Sequence, residues 1–146
     1  MRAENGTRYW AVPGRQGFEH ILGGLEKDKA DRLATAKEIV DRYGATVILK
    51  GAHTLVVSAD GARVYENHTG NPFMAMGGMG DLLAGAIGAR WAYLKGDPFL
   101  AAASSVWLHG AASDKVVAEE GDPSIVNTAA ALGSLRVKFD RQGKAV

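Results

Sequence analysis

A glycine-dense turn running straight into an apolar helix constrains this chain more than any other stretch. Residues 70 to 85 read Gly-Asn-Pro-Phe-Met-Ala-Met-Gly-Gly-Met-Gly-Asp-Leu-Leu-Ala-Gly. Glycine has no Cβ, so the backbone here can come close to a ligand. The first turn of a helix leaves amide N–H groups without intrahelical acceptors and carries partial positive charge. Gly77-Gly78-Met79-Gly80-Asp81 therefore reads as an anion pocket suited to phosphate. Asp81 is either an acid that favours the helix start or a base aimed into that pocket. The stretch lacks the Lys-Ser/Thr ending of a P-loop.

The pattern before this turn alternates helix and strand. Residues 1–8 read as a polar, flexible lead. Tyr9 to Val12 is a short strand stopped by Pro13-Gly14, and Phe18 to Leu22 a helical turn. Asp28 to Tyr43 is an amphipathic helix, with Leu33, Ala36, Ile39, Val40 and Tyr43 at helical spacing, Asp28 as its cap and Gly44 closing it. Ala45 to Leu49 is an apolar, β-rich run suited to a buried parallel strand. Thr54 to Ser58 and Ala62 to Glu66 flank Asp60-Gly61, a hairpin signal.

After the glycine turn the chain is helical. Asp81 to Leu94 forms one helix, and its small residues Ala84, Gly85, Gly88 and Ala92 suit close helix packing. Asp97-Pro98 starts another that runs to about Glu120, with Pro98 in its first turn. Gly121-Asp122-Pro123 breaks it, and Thr128 caps a last short helix through Leu135 before a frayed end over 138–146. These elements make an α/β layered unit. Few strands serve several apolar helices, so the sheet reads as part of a larger one, completed by further sequence or by another subunit.

Composition narrows the class of function. Seventeen basic and sixteen acidic side chains leave a net charge of +1, which argues for no nucleic-acid or membrane partner. There is no cysteine, hence no disulfide or thiolate–metal site. A cytoplasmic setting is the expectation. Lys50-Gly51-Ala52 follows an apolar strand, where ligands of open α/β sheets bind. Read alone, Lys50 is equally a solvated turn residue. His53 reads as a loop histidine, His109 as a hydrogen-bonded packing histidine, and His20 and His68 show no partner. No metal-ligand spacing is evident. Met74, Met76 and Met79 either line a pocket or fill gaps.

Four linked stretches resemble one family. The run Gly70 to Gly85 resembles the signature of ADP/ATP-dependent NAD(P)H-hydrate dehydratases. Lys50-Gly51-Ala52-His53-Thr54 is similar to that family's Leu-Lys-Gly-Ala-x-Thr nucleotide segment, read with Leu49. Leu108-His109-Gly110 through Asp114 is similar to its Leu-His-Gly-x-Ala-x-Asp helix, and Thr128-Ala129 falls where a short Ala-Ser/Thr-Asp segment lies. The resemblance implies a ribokinase-like three-layer α/β fold, of which this chain is the C-terminal half, as one partial domain over residues 1–146. It implies a lyase that uses ADP or ATP with Mg²⁺ to return hydrated NADH or NADPH to the intact cofactor. In that reading Asp81 is the catalytic base. Gly77, Gly78, Met79 and Gly80 form the anion hole. Lys50, Gly51, Ala52, His53, Thr54 and Gly80 contact the nucleotide, and Asn71 and Asp81 meet the substrate. No protein metal ligand is implied, and the partner is either a second copy or an N-terminal half. The chain departs from the family pattern at Gly14, Gly17 and Met76, where histidine, glutamate and serine or threonine are usual. A ribokinase-like small-molecule kinase and a non-catalytic nucleotide-binding fragment are the alternatives.

Overall fold

A computed structural model of the chain describes residues 8–12, 32–119 and 121–142. The expected helical turn at Phe18, the Asp28 cap, and Gly14 and Gly17 lie outside the described residues.

Strand β1 (Arg8–Val12) pairs in parallel with β2 (Ala45–Leu49), and helix α1 (Arg32–Tyr43) lies between them in the chain. Strands β3 (Leu55–Val57) and β4 (Val64–Glu66) add antiparallel, giving the order β1-β2-β3-β4. All five residues of β2 are buried. Period two explains why. Val47 and Leu49, with Leu55 and Val57, meet Ala36, Ile39 and Val40 of α1 on one face. Ile48 and Val56 meet Leu83, Ile87, Ala102 and Val106 on the other. A strand covered on both faces has no polar side to show, hence a run in which Thr46 is the one polar side chain.

Helices α2 (Met79–Tyr93) and α3 (Pro98–Ala118) form that second face, and α4 (Ile125–Gln142) packs mainly on α3. This gives the three layers of an α/β sandwich. Asp97 caps α3, accepting from the Leu100 amide at 3.0 Å, with Pro98 in the first turn. Asp97 also pairs with Arg63 at 2.8 Å, which ties the hairpin to the cap. The Gly44 amide reaches the Val40 carbonyl at 2.7 Å, closing α1 as expected. No helix among the described residues is long and apolar enough to cross a membrane.

Three expectations need correction. Helix α2 starts at Met79, not Asp81, because Gly78 takes a left-handed φ of 88° and turns the chain there. Its small residues do not pack: Ala84, Gly85 and Ala92 are exposed, and a Cβ at Gly85 or Gly88 would meet nothing within 4 Å. Contact runs through Leu83, Ile87 and Arg90 instead. The last helix is neither capped by Thr128 nor ended at Leu135. Thr128 is fully buried inside it, and Ser124 stands before its start, its Oγ 3.4 Å from the Asn127 amide. Buried Arg90 holds the far end. Its guanidinium pairs with Asp140, reaches Ser104 Oγ at 3.2 Å and lies 5.2 Å from the Phe139 ring centre. A guanidinium taken from water needs such partners.

Candidate functional site

The site begins where β2 ends. Residues 50–54 turn sharply, and Thr54 Oγ1 donates to the Gly51 carbonyl at 3.0 Å. Carbonyls in such a loop face away from the sheet and need donors. Arg32, at the start of α1, supplies them. Its guanidinium donates to Ala52 at 2.6 Å, His53 at 3.0 Å, Leu49 at 3.0 Å and Lys50 at 3.3 Å. One side chain therefore fixes the shape of the whole loop. Sequence alone does not single out Arg32, because its partners are backbone atoms about twenty residues away.

The glycine turn is held just as firmly from the other side. Asn71 Nδ2 donates to Ser113 Oγ at 3.1 Å and Asp114 Oδ1 at 2.9 Å, and its Oδ1 accepts from the Phe73 amide at 3.1 Å. The Gly70 amide donates to Asp114 Oδ2 at 2.8 Å. Asn71 thus begins a short 3-10 turn over Pro72–Met74 and fastens it to α3. Gly78 then turns the chain into α2, with Ile125 of α4 against it; a Cβ there would come within 2.5 Å of Ile125 Cδ1. The first intrahelical bond runs from the Leu82 amide to the Gly78 carbonyl. The amides of Met79, Gly80 and Asp81 precede it, so they have no helical acceptor.

The two motifs converge at Gly80. A Cβ on Gly80 would lie 2.7 Å from Lys50 Nζ. An ammonium group and the open first turn of a helix therefore share one point, although thirty positions separate them in sequence. Positive charge from both sources concentrates there, as anion recognition requires.

This point opens into a cavity of about 700 Å³, within the usual size of a small-molecule site. Lys50, Gly51, Ala52, His53 and Thr54 line it on one side, and Asn71, Met79 and Gly80 on another. Met74 and Met76 join Met79 in the wall. Gly77, Gly78 and Asp81 are not part of the lining. Asp81 lies exposed in the first turn of α2, next in sequence to the lining residue Gly80. His109, Thr69 and Gly110 are lining residues beyond those expected. The hairpin also brings His53, Glu66 and His68 together at the rim.

His109 is 6% exposed, and its Nε2 has no hydrogen-bond partner among the described residues. The expectation of a packed, buried histidine holds, with Nε2 left unpaired among those residues. Burial first, and the charge of Lys50 second, push its pKa down to about 4. The folded chain therefore keeps this ring neutral where the unfolded chain would protonate it. The resulting stabilisation is complete above the ordinary imidazole value and is lost as pH falls toward the folded value. Lowering pH from 7 to 5 is expected to remove about 2 kcal/mol through this group. Urea titrations of the wild type and His109→Gln at both pH values measure it: the variant should lose that share of the pH dependence.

A family model described as NAD(P)H-hydrate dehydratase matches residues 11–133. Over 94 residues the chain is 46% identical to an ADP-dependent (S)-NAD(P)H-hydrate dehydratase of Neisseria meningitidis, covering 64% of this chain and 31% of that protein. It is 42% identical over 110 residues to a bifunctional NAD(P)H-hydrate repair enzyme of Escherichia coli, covering 74% and 21%. The structure superposes on an ADP/ATP-dependent NAD(P)H-hydrate dehydratase from Bacillus subtilis, co-crystallised with ATP/Mg²⁺, with TM-score 0.76 at 26% identity, covering 91% of this chain and 47% of that one. A ribokinase-like superfamily protein from Enterococcus faecalis matches with TM-score 0.70 at 24% identity, covering 90% and 44%. The fold is thus ribokinase-like. The chain spans about half the length of these solved structures and less than a third of either of these two enzymes' lengths.

Proposed function

The chain belongs to the NAD(P)H-hydrate dehydratase family, and from that premise we propose that it serves nucleotide-dependent dehydration of hydrated NADH or NADPH to the intact cofactor. The observation that carries this reading is the meeting of Lys50 Nζ with the first turn of α2 at Gly80. It fits the phosphates of ADP or ATP. The nucleotide supplies a phosphoryl group that converts the added hydroxyl into a leaving phosphate.

The chain's own residues then have distinct tasks. Lys50 and the free first-turn amides of Met79 and Gly80 hold negative charge where it grows, with Gly77 and Gly78 shaping the turn that presents them, and phosphoryl transfer depends chiefly on such placement. The loop 51–54 (Gly51, Ala52, His53, Thr54) borders the nucleotide, its shape fixed by Arg32. Asp81 takes the proton of the acceptor hydroxyl. Asn71 holds the substrate-side wall against α3. Among the described residues lining the cavity there is no carboxylate, so Mg²⁺ would be carried by the nucleotide's phosphates, whose charge it would offset.

The test mixes the chain with ADP or ATP, Mg²⁺ and hydrated NADH, and follows the return of dihydronicotinamide absorbance. A rate above the nucleotide-free blank is the expected result, and its absence overturns the proposal. Lys50→Met should weaken nucleotide binding about 10- to 100-fold, the loss of one charge-assisted contact. Calorimetry checks this, and unchanged affinity would remove Lys50 from the site.

A further inference from the structure

The hairpin carries a feature that phosphate chemistry does not use. Leu55 pairs with Glu66 across β3 and β4, and the Asn67 amide continues the ladder to the Thr54 carbonyl at 2.9 Å. One step further, that register sets His53 opposite His68. Glu66 lies two residues from His68, on the same side of an extended chain. His53 has a left-handed φ of 56°.

The side chains meet accordingly. His53 Nδ1 is 3.1 Å from His68 Nδ1 and 3.6 Å from Glu66 Oε1. All three ligand atoms lie within 4.8 Å of one another. A single proton can join the two ring nitrogens, but it leaves the carboxylate beyond hydrogen-bond reach. A cation at the centre engages all three. Tetrahedral zinc holds neighbouring nitrogen and oxygen ligands about 3.3 Å apart, close to the two separations seen.

We propose that His53, Glu66 and His68 form a binding site for a divalent transition metal of the zinc type, at the rim of the cavity. Two imidazoles and one carboxylate select such an ion over Mg²⁺, which prefers oxygen ligands and keeps its waters. Three protein ligands leave one coordination position open. His53 and His68 also line the cavity, so a bound ion adds positive charge beside the anion pocket. Its imidazole ligands set it apart from the phosphate oxygens that would carry the nucleotide's Mg²⁺.

Metal binding is measured on the full chain without nucleotide, so the result is independent of the dehydratase reading. Calorimetry with Zn²⁺ should give one site per chain, and Co²⁺ should give the intense visible absorption of a tetrahedral complex. His68→Ala, Glu66→Gln and His53→Asn should each weaken Zn²⁺ affinity by more than the roughly 10- to 100-fold that loss of an outer partner costs. Asparagine tolerates the left-handed backbone at position 53, and circular dichroism confirms that each variant is folded. Zn²⁺ that fails to bind at one per chain, or binds the folded His68→Ala and Glu66→Gln variants as tightly as the wild type, overturns the proposal.

Discussion

Replacing Asp81 with asparagine is expected to lower turnover of hydrated NADH by about 10²- to 10⁴-fold, the range for losing a positioned base. Asparagine keeps the shape of the side chain and removes its proton affinity. The Michaelis constants should change little, because the anion pocket is made by backbone amides and Lys50. Among the described residues, no hydrogen bond or ion pair involves the Asp81 carboxylate, and the side chain is exposed. Its structural share is then only the helix-start term, about 0.3–1 kcal/mol. The two readings of this acid therefore separate cleanly. A base gives a collapse in turnover with a small change in the urea midpoint. A helix-start acid gives the same small midpoint change with full activity, and that outcome would remove Asp81 from the chemistry.

How much of this was legible depended on the range of the interactions. The strand Val47-Ile48-Leu49 declared itself because burial on both faces leaves no room for polar residues. Asp60-Gly61 and Asp97-Pro98 marked a turn and a cap through local bonds, and local bonds leave local sequence signals. Lys50 and Gly80 were each visible as loop residues at sheet ends, which is why their meeting is consistent with the sheet's logic. The missed residues act over distance. Arg32 serves carbonyls about twenty positions away, and Arg90 reaches Asp140 fifty positions on. Without that buried pair the last helix reads as ending near Leu135. As metal ligands His53 and His68 leave no signal in the sequence, since neither carries a ligand spacing along the chain and the family resemblance implies only a nucleotide contact for His53. Only the register Leu55 opposite Glu66 places them face to face. The start of α2 is hidden in the sequence because Asp81 is an obvious helix-start acid, whereas the left-handed Gly78 is one of several glycines.

Gly110→Ala is expected to destabilise the chain by about 3 kcal/mol, net of the gain from alanine's helix propensity. Helix α3 crosses the glycine turn at this residue. A Cβ there would stand 2.2 Å from Thr69 Oγ1, 2.6 Å from the Thr69 carbonyl carbon and 2.8 Å from its oxygen. Thr69 cannot step aside freely. Its hydroxyl lies 3.0 Å from both the Trp107 carbonyl oxygen and Asn67 Oδ1, and its own carbonyl accepts from Asn67 Nδ2 at 2.8 Å. Yielding breaks part of this network, at about 1 kcal/mol for each bond, and moves the segment that carries Gly70 and Asn71 into the cavity wall. Nucleotide and substrate binding should therefore weaken together with stability. A double-mutant cycle with Thr69→Ala locates the conflict. That change removes the hydroxyl but leaves the peptide group, so it should restore less than half of the lost stability. Full restoration would mean that the threonine side chain alone, not the backbone of the glycine turn, sets how closely α3 approaches.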